Sequence, residues 1–300
     1  MLKLSVMIPC RDRLILTKKC IDSIWKNSSI FNKIDIYVFD NNSDLNTERL
    51  SLFYNLLEDK KICHYSYDTP TSLHNCFGKA TTFMRWCKTM QVDYEVRHMV
   101  KDHESRFDNF YLLLDNDFIL CENWGEYFIS ACKRMREVEK DMHYLVPFPG
   151  GIPERFRGKD KPTHSVDNIF HTDKKFEVIF ANGGGSSGFW FSDLQGIKKL
   201  QWGIDSLAKT YNRSKRHDSE TWNMIKRKSG NINYVGCVIP PKEQYFALHL
   251  GGQFGSLCNR LTHNDYSDKI KNEIANSELV IKDMSVNEII EKYKDLCNSW

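Results

Sequence analysis

The 300-residue chain has no hydrophobic run long enough to cross a membrane, because its apolar stretches have the length of single strands. Neither sign of charge predominates. The chain has 42 lysines and arginines against 39 aspartates and glutamates, so the net charge of +3 does not by itself indicate a nucleic-acid partner. The N-terminus enters a strand-like segment directly and shows no signal-peptide pattern, and we therefore expect a cytoplasmic protein.

The sequence also lacks the cysteine spacing of a metal or redox motif. Its ten cysteines are scattered, and none forms a Cys-x-x-Cys pair. Many of them stand in apolar strand or helix patterns. This distribution favours buried free thiols in a reducing compartment over disulfides or a zinc site.

The first 120 residues alternate between strand-like and helix-like segments. The hydrophobic patterns predict strands at residues 4–8, 34–39, 62–67 and 110–114, and helices at residues 16–26, 45–57 and 73–90. Residues 93–108 are polar and aperiodic, which predicts a loop or insertion. Repeated β-α units with apolar strands predict a mostly parallel sheet that is covered by helices.

The second half is less regular. Its patterns predict a helix at 124–138, a strand at 144–146, a long loop at 150–175, strands at 176–180 and 188–191, helices at 204–211 and 219–228, and strands at 232–239 and 245–250. Near the C-terminus, Ser285 and Glu288 have the spacing of a capping box. The apolar stripe of the helix that follows is expected to pack on the protein itself, with a partner interface as the alternative.

The most informative segment is residues 111–120, where four apolar residues run into Asp115-Asn116-Asp117. The apolar run predicts a buried strand, and ligands bind at the carboxyl edge of an open α/β sheet. Two carboxylates at that edge are costly unless a cation neutralises them. Mg²⁺ or Mn²⁺ carrying a diphosphate is a common solution. The plain alternative is an Asp-Asn turn that follows a strand.

Five segments in order resemble the metal-dependent glycosyltransferases of the GT-A fold, specifically family 2. They are residues 4–13, residues 36–43, the triplet at 115–117, the glycine-rich residues 183–188 and residues 217–222. The resemblance covers residues 3–250. It implies an α/β GT-A fold with a Rossmann-like, mostly parallel central sheet flanked by helices, a smaller acceptor-side region and a C-terminal helix. The expected division is 1–122 for nucleotide-sugar binding, 123–264 for acceptor binding and catalysis, and 265–300 for a helical extension.

The same resemblance implies a binding site for a nucleotide-sugar donor and for Mn²⁺ or Mg²⁺. Asp117 is the expected direct metal ligand, Asp115 reaches the ribose or the metal, and His249 completes the metal shell or is instead a core histidine. Asp40 and Asn41 end the second strand, where the base is expected to be read, with a helix N-cap as the alternative role of this turn. UDP is the expected nucleotide: many members of the family carry Asp at the position of Asn41, but the Asn41 amide can both donate to and accept from a pyrimidine edge. The expected donor-binding residues are Pro9, Arg11, Asp12, Asp40, Asn41, Lys79, Asp115, Asn116, Gly184 and Gly185.

Inversion at the anomeric carbon requires a base that takes the acceptor proton. Asp218 is the best candidate, and if it only caps a helix, Glu220 is the alternative. The aromatic residues Phe189, Trp190 and Phe191 can stack on a sugar face, although one or two of them are expected in the core.

The acceptor is the least determined part of the prediction. Basic residues cluster at 155–161, 209–216 and 226–228; solvated surface is the default interpretation of such clusters. The alternative is a polyanionic acceptor such as DNA with a hydroxymethylated base, since Lys and Arg contact phosphates. A saccharide or lipid-linked glycan fits equally well. Two rival functions are a sugar-nucleotide nucleotidyltransferase, although no glycine-rich loop follows the first strand, and a noncatalytic binding module.

Overall fold

The computed structural model describes residues 1–41, 43, 46–68, 86, 108–138, 144–147, 164–171, 174–182, 188–197, 234–241, 244–251 and 268–295. Within those ranges no helix has both the length and the apolarity that a membrane span requires.

The first half of the chain forms the four strands and the first two helices that the sequence predicts, while the predicted helix at residues 73–90 lies outside the described residues except for Trp86. Its elements are β1 (Lys3–Cys10), α1 (Leu14–Asn27), β2 (Lys33–Asn41), α2 (Thr47–Glu58), β3 (His64–Asp68) and β4 (Asn109–Leu114). The four strands are parallel and lie in the order β3-β2-β1-β4. Every residue of β1 is buried, as expected for a central strand with both faces covered.

The second half completes one nine-stranded sheet. It contains β5 (Phe118–Leu120), α3 (Trp124–Val138), β6 (Tyr144–Pro147), β7 (His164–His171), β8 (Lys174–Asn182), β9 (Phe189–Asp193), β10 (Tyr234–Ile239) and β11 (Ala247–His249). The strand order of the main sheet is β3-β2-β1-β4-β9-β6-β10-β8-β7. The large central sheet of an α/β protein is thus confirmed.

The direction of the strands differs from the prediction in this second half. Strand β9 is antiparallel to β4 and β6, and β8 is antiparallel to β10 and β7. Only β6 and β10 are parallel there. The sheet is therefore mixed. Strands β7 and β8 can be antiparallel because they follow each other as a hairpin, which needs no crossover helix.

Part of the predicted loop at residues 150–175 is wrong. Strand β7 and the start of β8 lie inside it, and they pair along their full length, from His164 opposite Ala181 to His171 opposite Lys174. The polar sequence of β7 gives no strand signal of its own. Its conformation comes from pairing with the apolar β8, because β propensity depends strongly on context.

A second, two-stranded sheet joins distant parts of the chain. Strands β5 and β11 are antiparallel, with Leu248 opposite Ile119 and His249 opposite Phe118. The three-residue β5 was not predicted. This pairing carries the segment around His249 to the turn that contains the aspartate triplet.

The C-terminal extension consists of α4 (Asp268–Glu278), a 3-10 turn (Leu279–Ile281) and α5 (Val286–Tyr293). The capping box is confirmed: the Ser285 N–H donates to Glu288 Oε2 (2.7 Å), and the Glu288 N–H donates to Ser285 Oγ (3.3 Å). Val286 and Ile289 are buried in a small core against α1, β5 and β11. The expected packing of this helix on the protein itself is thus confirmed for these residues.

The main core is rich in aromatic side chains. Trp124 and Phe128 of α3 make edge-on contacts with Phe191 at ring-centroid distances of 5.7 and 5.5 Å. Phe189, Trp190 and Phe191 are all buried, so the expectation that one of them stacks on a sugar is wrong. Their strand is covered on both faces, which leaves no aromatic ring of β9 at the surface.

The cysteines that the structure describes are free thiols, as predicted. Cys10, Cys20, Cys121, Cys132 and Cys237 are buried, and Cys63 is exposed. Burial raises the pKa of the Cys10 and Cys20 thiols well above its ordinary value, which keeps both in the protonated form.

Candidate metal centre

The aspartate triplet forms the tight turn between β4 and β5. The Asp115 N–H donates to the carbonyl of Gly188 (2.8 Å), and the Phe118 N–H donates back to the carbonyl of Asp115 (3.2 Å). Because β4 runs parallel to β1 and β2, the turn lies at the carboxyl edge of the sheet, as the sequence predicts. This is the edge at which α/β sheets bind ligands.

Asp117 and His249 meet at this edge. The pairing of β11 with β5 is extended by a hydrogen bond from the Leu250 N–H to the Asp117 carbonyl (2.8 Å). It brings His249 Nε2 to 3.4 Å from Asp117 Oδ1. The imidazole is also stacked on the Phe118 ring, at a centroid distance of 4.5 Å and an interplanar angle of 13°. The ring is therefore fixed in position relative to the carboxylate.

The two oxygens of Asp117 have different partners. Oδ2 accepts a hydrogen bond from Arg13 Nη1 at 2.6 Å, in an ion pair that is buried on both sides. Oδ1 is buried and faces His249 Nε2 at 3.4 Å, which is longer than a well-formed hydrogen bond and is an ion pair when the imidazole is protonated. A buried oxygen that lacks a well-formed hydrogen bond is costly, so Oδ1 is suited to a ligand.

The charges of this pair support each other. Burial raises the pKa of Asp117, but His249 and Arg13 outweigh it and hold that pKa well below its usual range, so the carboxylate is ionised. Partial burial lowers the pKa of His249, but Asp117 and then Asp115 outweigh it and raise that pKa above its ordinary value. A metal ion that binds the imidazole must therefore displace a proton that is held more firmly than usual.

The donor atoms present fit a hard divalent cation. A buried carboxylate oxygen, Asp117 Oδ1, and an imidazole nitrogen, His249 Nε2, face each other at 3.4 Å. Among the described residues no group of three His, Cys, Asp or Glu side chains could hold a metal alone. Mg²⁺ and similar ions are commonly held by one or two protein side chains, with water and substrate phosphates completing the shell.

Two glycines make room for these side chains. A Cβ atom on Gly251 would lie 2.4 Å from Asp117 Oδ2 and 2.9 Å from His249 Nε2. A Cβ atom on Gly188 would lie 2.5 Å from a ring carbon of Phe118 and 3.0 Å from Asp115 Oδ2. The backbone at both glycines thus lies so close to the site that a side chain at Gly188 or Gly251 would displace the neighbouring side chains.

Helix α1 fixes Arg13 from below. Arg13 stands just before the helix in a left-handed conformation, with φ 53° and ψ 54°. Its carbonyl accepts from the Thr17 N–H (2.9 Å) and the Thr17 hydroxyl (2.8 Å). The Thr17 hydroxyl in turn accepts from the Asn116 amide (2.9 Å), so the buried Asn116 side chain is directed to α1.

The predicted nucleotide residues at the ends of β1 and β2 form a buried network. Asp40 Oδ1 accepts from the Ser43 N–H (3.0 Å), and Oδ2 accepts from Arg49 Nη1 (3.1 Å) and the Tyr65 hydroxyl (3.2 Å). The Asp12 N–H donates to Ser43 Oγ (2.6 Å). Asp40 is only 1% exposed. Its direct role is therefore to hold the turns after β1 and β2 together.

The remaining predicted residues divide into two groups. Pro9 is buried within β1 opposite Phe39, and Arg11 is half-buried in the turn that follows. The others lie outside the described residues, and their roles stay predictions: Lys79, Gly184, Gly185, Asp218, Glu220, the side chain of Asn41 and the three basic clusters.

Sequence reasoning missed several residues of the site. Arg13 is the last residue of the first motif and stands directly before a predicted helix, but its pairing with Asp117 cannot be predicted from the sequence. Gly251 follows His249 in a Gly-Gly pair. No local pattern indicates Glu278. Its Oε1 accepts from the Leu16 N–H (2.9 Å), and these two residues are 262 positions apart in the sequence.

Comparison with solved structures gives remote matches over most of the chain. The crystal structure of GalNAc-T7 with UDP, GalNAc and Mn²⁺ matches at a TM-score of 0.47 and 10% identity, over 81% of this chain and 44% of that one. The structure of S. aureus TarS 1-349 matches at a TM-score of 0.39 and 13% identity, over 93% of this chain and 71% of that one. A second S. aureus TarS structure matches at a TM-score of 0.40 and 11% identity, over 95% of this chain and 44% of that one.

This chain thus spans less than half the length of the GalNAc-T7 chain. A scan against protein-family models and a search of the curated proteins give no match. At these TM-scores and identities the likeness is too remote to assign a function to the chain.

Proposed function

We propose that this chain is an inverting glycosyltransferase of the GT-A type, which transfers a hexosyl or pentosyl group from a UDP-sugar to an acceptor hydroxyl. One observation carries the proposal: Asp117 and His249, far apart in sequence, meet at the carboxyl edge of the parallel half-sheet with a buried oxygen left for a ligand. The turns after β1 and β2, where a nucleotide would bind, end at the same edge.

The departing nucleoside diphosphate builds up negative charge, which a bound Mg²⁺ or Mn²⁺ would stabilise as a Lewis acid. Asp117 Oδ1 and His249 Nε2 would hold the ion. Asp115 is partly exposed in the same turn, and we assign it to the ribose or the ion. His249 and Arg13 together hold the pKa of Asp117 well below its usual range, so this ligand is ionised at physiological pH.

The nucleotide would lie across the turns after β1 and β2. Asp40 supports this surface from inside, since both of its oxygens are bound by protein donors. Reading of the uracil edge would then fall to groups on the surface of the β2 turn, with Asn41 as the proposed side chain. Arg11, in the neighbouring turn, is the proposed phosphate contact.

The acceptor hydroxyl needs a base, and we assign this role to Asp218, with Glu220 as the alternative. Both stand beyond the described residues, so this assignment rests on the motif and on the chemistry of inversion. We propose a saccharide or a lipid-linked glycan as the acceptor. No contact among the described residues favours DNA.

The proposal is tested by measuring UDP release from a panel of UDP-sugars with Mn²⁺ and with EDTA. We expect turnover that requires the metal and that falls at least about 100-fold in Asp117→Asn, because a charge that stabilises the transition state is lost. Asp22→Asn is the matched control, since Asp22 pairs with Lys18 on the surface of α1. Turnover that is insensitive to EDTA, or wild-type turnover by Asp117→Asn, would contradict the proposal. The anomeric configuration of the product, read by NMR, tests inversion separately.

A further inference from the structure

Helix α1 begins beside the candidate metal centre, and its first residues receive no cap from the residue that precedes them. Arg13 occupies the N-cap position, but its side chain makes no capping hydrogen bond. A guanidinium carries only donors, so it cannot accept from the backbone N–H groups at the start of a helix. The side chain extends instead to Asp117 Oδ2 (2.6 Å). The residue that pairs with the expected metal ligand therefore cannot cap its own helix.

Glu278 supplies this cap from the C-terminal extension. Its Oε1 accepts from the N–H of Leu16 (2.9 Å), which is the third residue of α1. An N-cap serine, threonine or aspartate ordinarily binds an N–H at this position of a helix. Leu16 is 0% exposed and Glu278 is 3% exposed, so bulk water does not reach this hydrogen bond and cannot replace the acceptor.

Two other helices show the ordinary arrangement. The Asn46 side chain caps α2 by accepting from the Arg49 N–H (2.8 Å), and Ser285 caps α5 by accepting from the Glu288 N–H (3.3 Å). In both, the acceptor stands three residues before the donor. At α1 the acceptor is 262 positions away from Leu16, which leaves the N-cap position open to an arginine.

The extension also packs against the strands at the site. Ile119 of β5 is buried in a small core together with Leu248 and Leu250, which stand on either side of His249. The extension contributes Ile281, Val286 and Ile289 to this core. The Leu250 N–H donates in turn to the Asp117 carbonyl (2.8 Å). The extension thus supports the backbone of both expected metal ligands as well as the start of α1.

We propose that Glu278 is a positioning residue of the donor site, an inference that rests on the proposed function. By capping α1 from outside, it leaves the N-cap position to Arg13 and holds that arginine against Asp117. Without an acceptor at position 278, the first turn of α1 loosens and the guanidinium loses its fixed position beside the carboxylate. The C-terminal extension thereby becomes part of the donor site.

The test compares Glu278→Met with Glu278→Gln by calorimetric titration of UDP at saturating Mn²⁺. Both side chains match glutamate in length, but only glutamine keeps an oxygen for the Leu16 N–H. We expect Glu278→Met to bind UDP at least about tenfold more weakly than the wild type, as is common when a group that orients a metal ligand from outside is lost. Glu278→Gln should bind like the wild type.

Ser285→Ala is the matched control, because it removes the cap of α5 within the same extension but leaves the Glu278 bond to Leu16 intact. It should lower the melting temperature and keep the wild-type affinity for UDP. Hydrogen exchange at the Leu16 amide, measured without any ligand, reports the α1 cap directly. This exchange should be faster in Glu278→Met and unchanged in Ser285→Ala.

If Glu278→Met does not fold, Glu278→Ala serves as the variant without an acceptor. A folded variant with wild-type affinity for UDP, or with wild-type exchange at Leu16, overturns the inference and leaves the proposed function standing. Binding by Glu278→Gln or Ser285→Ala that is as weak as that of Glu278→Met also overturns it, because loss of the acceptor would not be the cause. A wild type that binds UDP neither with nor without Mn²⁺ overturns both.

Discussion

Replacement of Glu278 by glutamine is expected to change how the stability of the protein depends on pH. Glu278 is 3% exposed at the end of α4, and its Oε1 accepts from the Leu16 N–H in the first turn of α1. Burial raises the pKa of this carboxyl from its ordinary 4.5 to about 7. Glutamine keeps an oxygen for Leu16 but cannot ionise.

The sign follows from the direction of this pKa shift. The folded state holds the Glu278 proton more firmly than the unfolded state, so the associated stability is fully present below pH 4.5 and is lost as the pH rises through about 7. Each pKa unit is worth about 1.4 kcal/mol, which makes the full change about 3 kcal/mol. Glu278→Gln should therefore gain about 3 kcal/mol relative to the wild type between these two pH values.

The assay is urea unfolding of both proteins at several pH values from 4.5 to 8. The quantity compared is the difference between their free energies of unfolding, because other titrating groups cancel in it. Glu291→Gln is the control for loss of an exposed carboxylate, since Glu291 is exposed and pairs with Lys294 just after α5. A difference for Glu278→Gln that changes with pH no more than that of the control would show that burial does not shift this carboxyl.

Three further predictions concern the site and the core. Gly251→Ala should destabilise the protein by about 1–3 kcal/mol and weaken Mn²⁺ binding in the presence of UDP, because the new Cβ atom would overlap Asp117. Thermal unfolding measures the first effect and calorimetry the second. Wild-type values for both would refute the close approach of Gly251 to Asp117. Arg136→Met should cost about 3–5 kcal/mol in urea unfolding, since it leaves Asp193 as an unpaired buried charge, and a loss below 1 kcal/mol would speak against a buried pair. Asp218→Asn should bind UDP with Mn²⁺ normally in calorimetry but lose transfer activity, and normal turnover by this variant would refute its role as the base.

The elements predictable from sequence are those whose signals are local. The apolar run before Asp115 and the alternation of the first three strands and two helices identify the parallel half of the sheet. The Ser285 capping box specifies the start of α5. In each case the residues that determine the structure are neighbours in sequence, so a pattern of hydrophobicity or capping is enough.

The parts that could not be predicted depend on partners distant in sequence. Strand β7 takes its conformation from β8, and the polar sequence of β7 alone resembles a loop. The same holds for the site, where Asp117 was expected to face a metal but is first bound by Arg13. Arg13 and Asp117 lie in turns that are far apart in the sequence, and the parallel register of β1 and β4 brings these turns together.

His249 shows the limit of motif reasoning most clearly. The sequence left it open whether this residue is a metal ligand or a core histidine, since a strand-end imidazole before two glycines suits both roles. The register of β11 against β5 places it beside Asp117, and its side chain is 41% exposed. It is thus a surface-accessible neighbour of the carboxylate and not a core residue, while its role as a ligand remains the proposal made above.

The most direct test of the central claim is calorimetric binding of a panel of nucleoside diphosphates, with Mn²⁺ and with EDTA, to the wild type and to Asp117→Asn. We predict that one nucleotide, UDP, binds tightly with Mn²⁺, and that this binding is lost both with EDTA and in the variant. Binding of no nucleotide under any condition, or binding that neither EDTA nor Asp117→Asn weakens, would contradict a metal-dependent donor site at the end of β4.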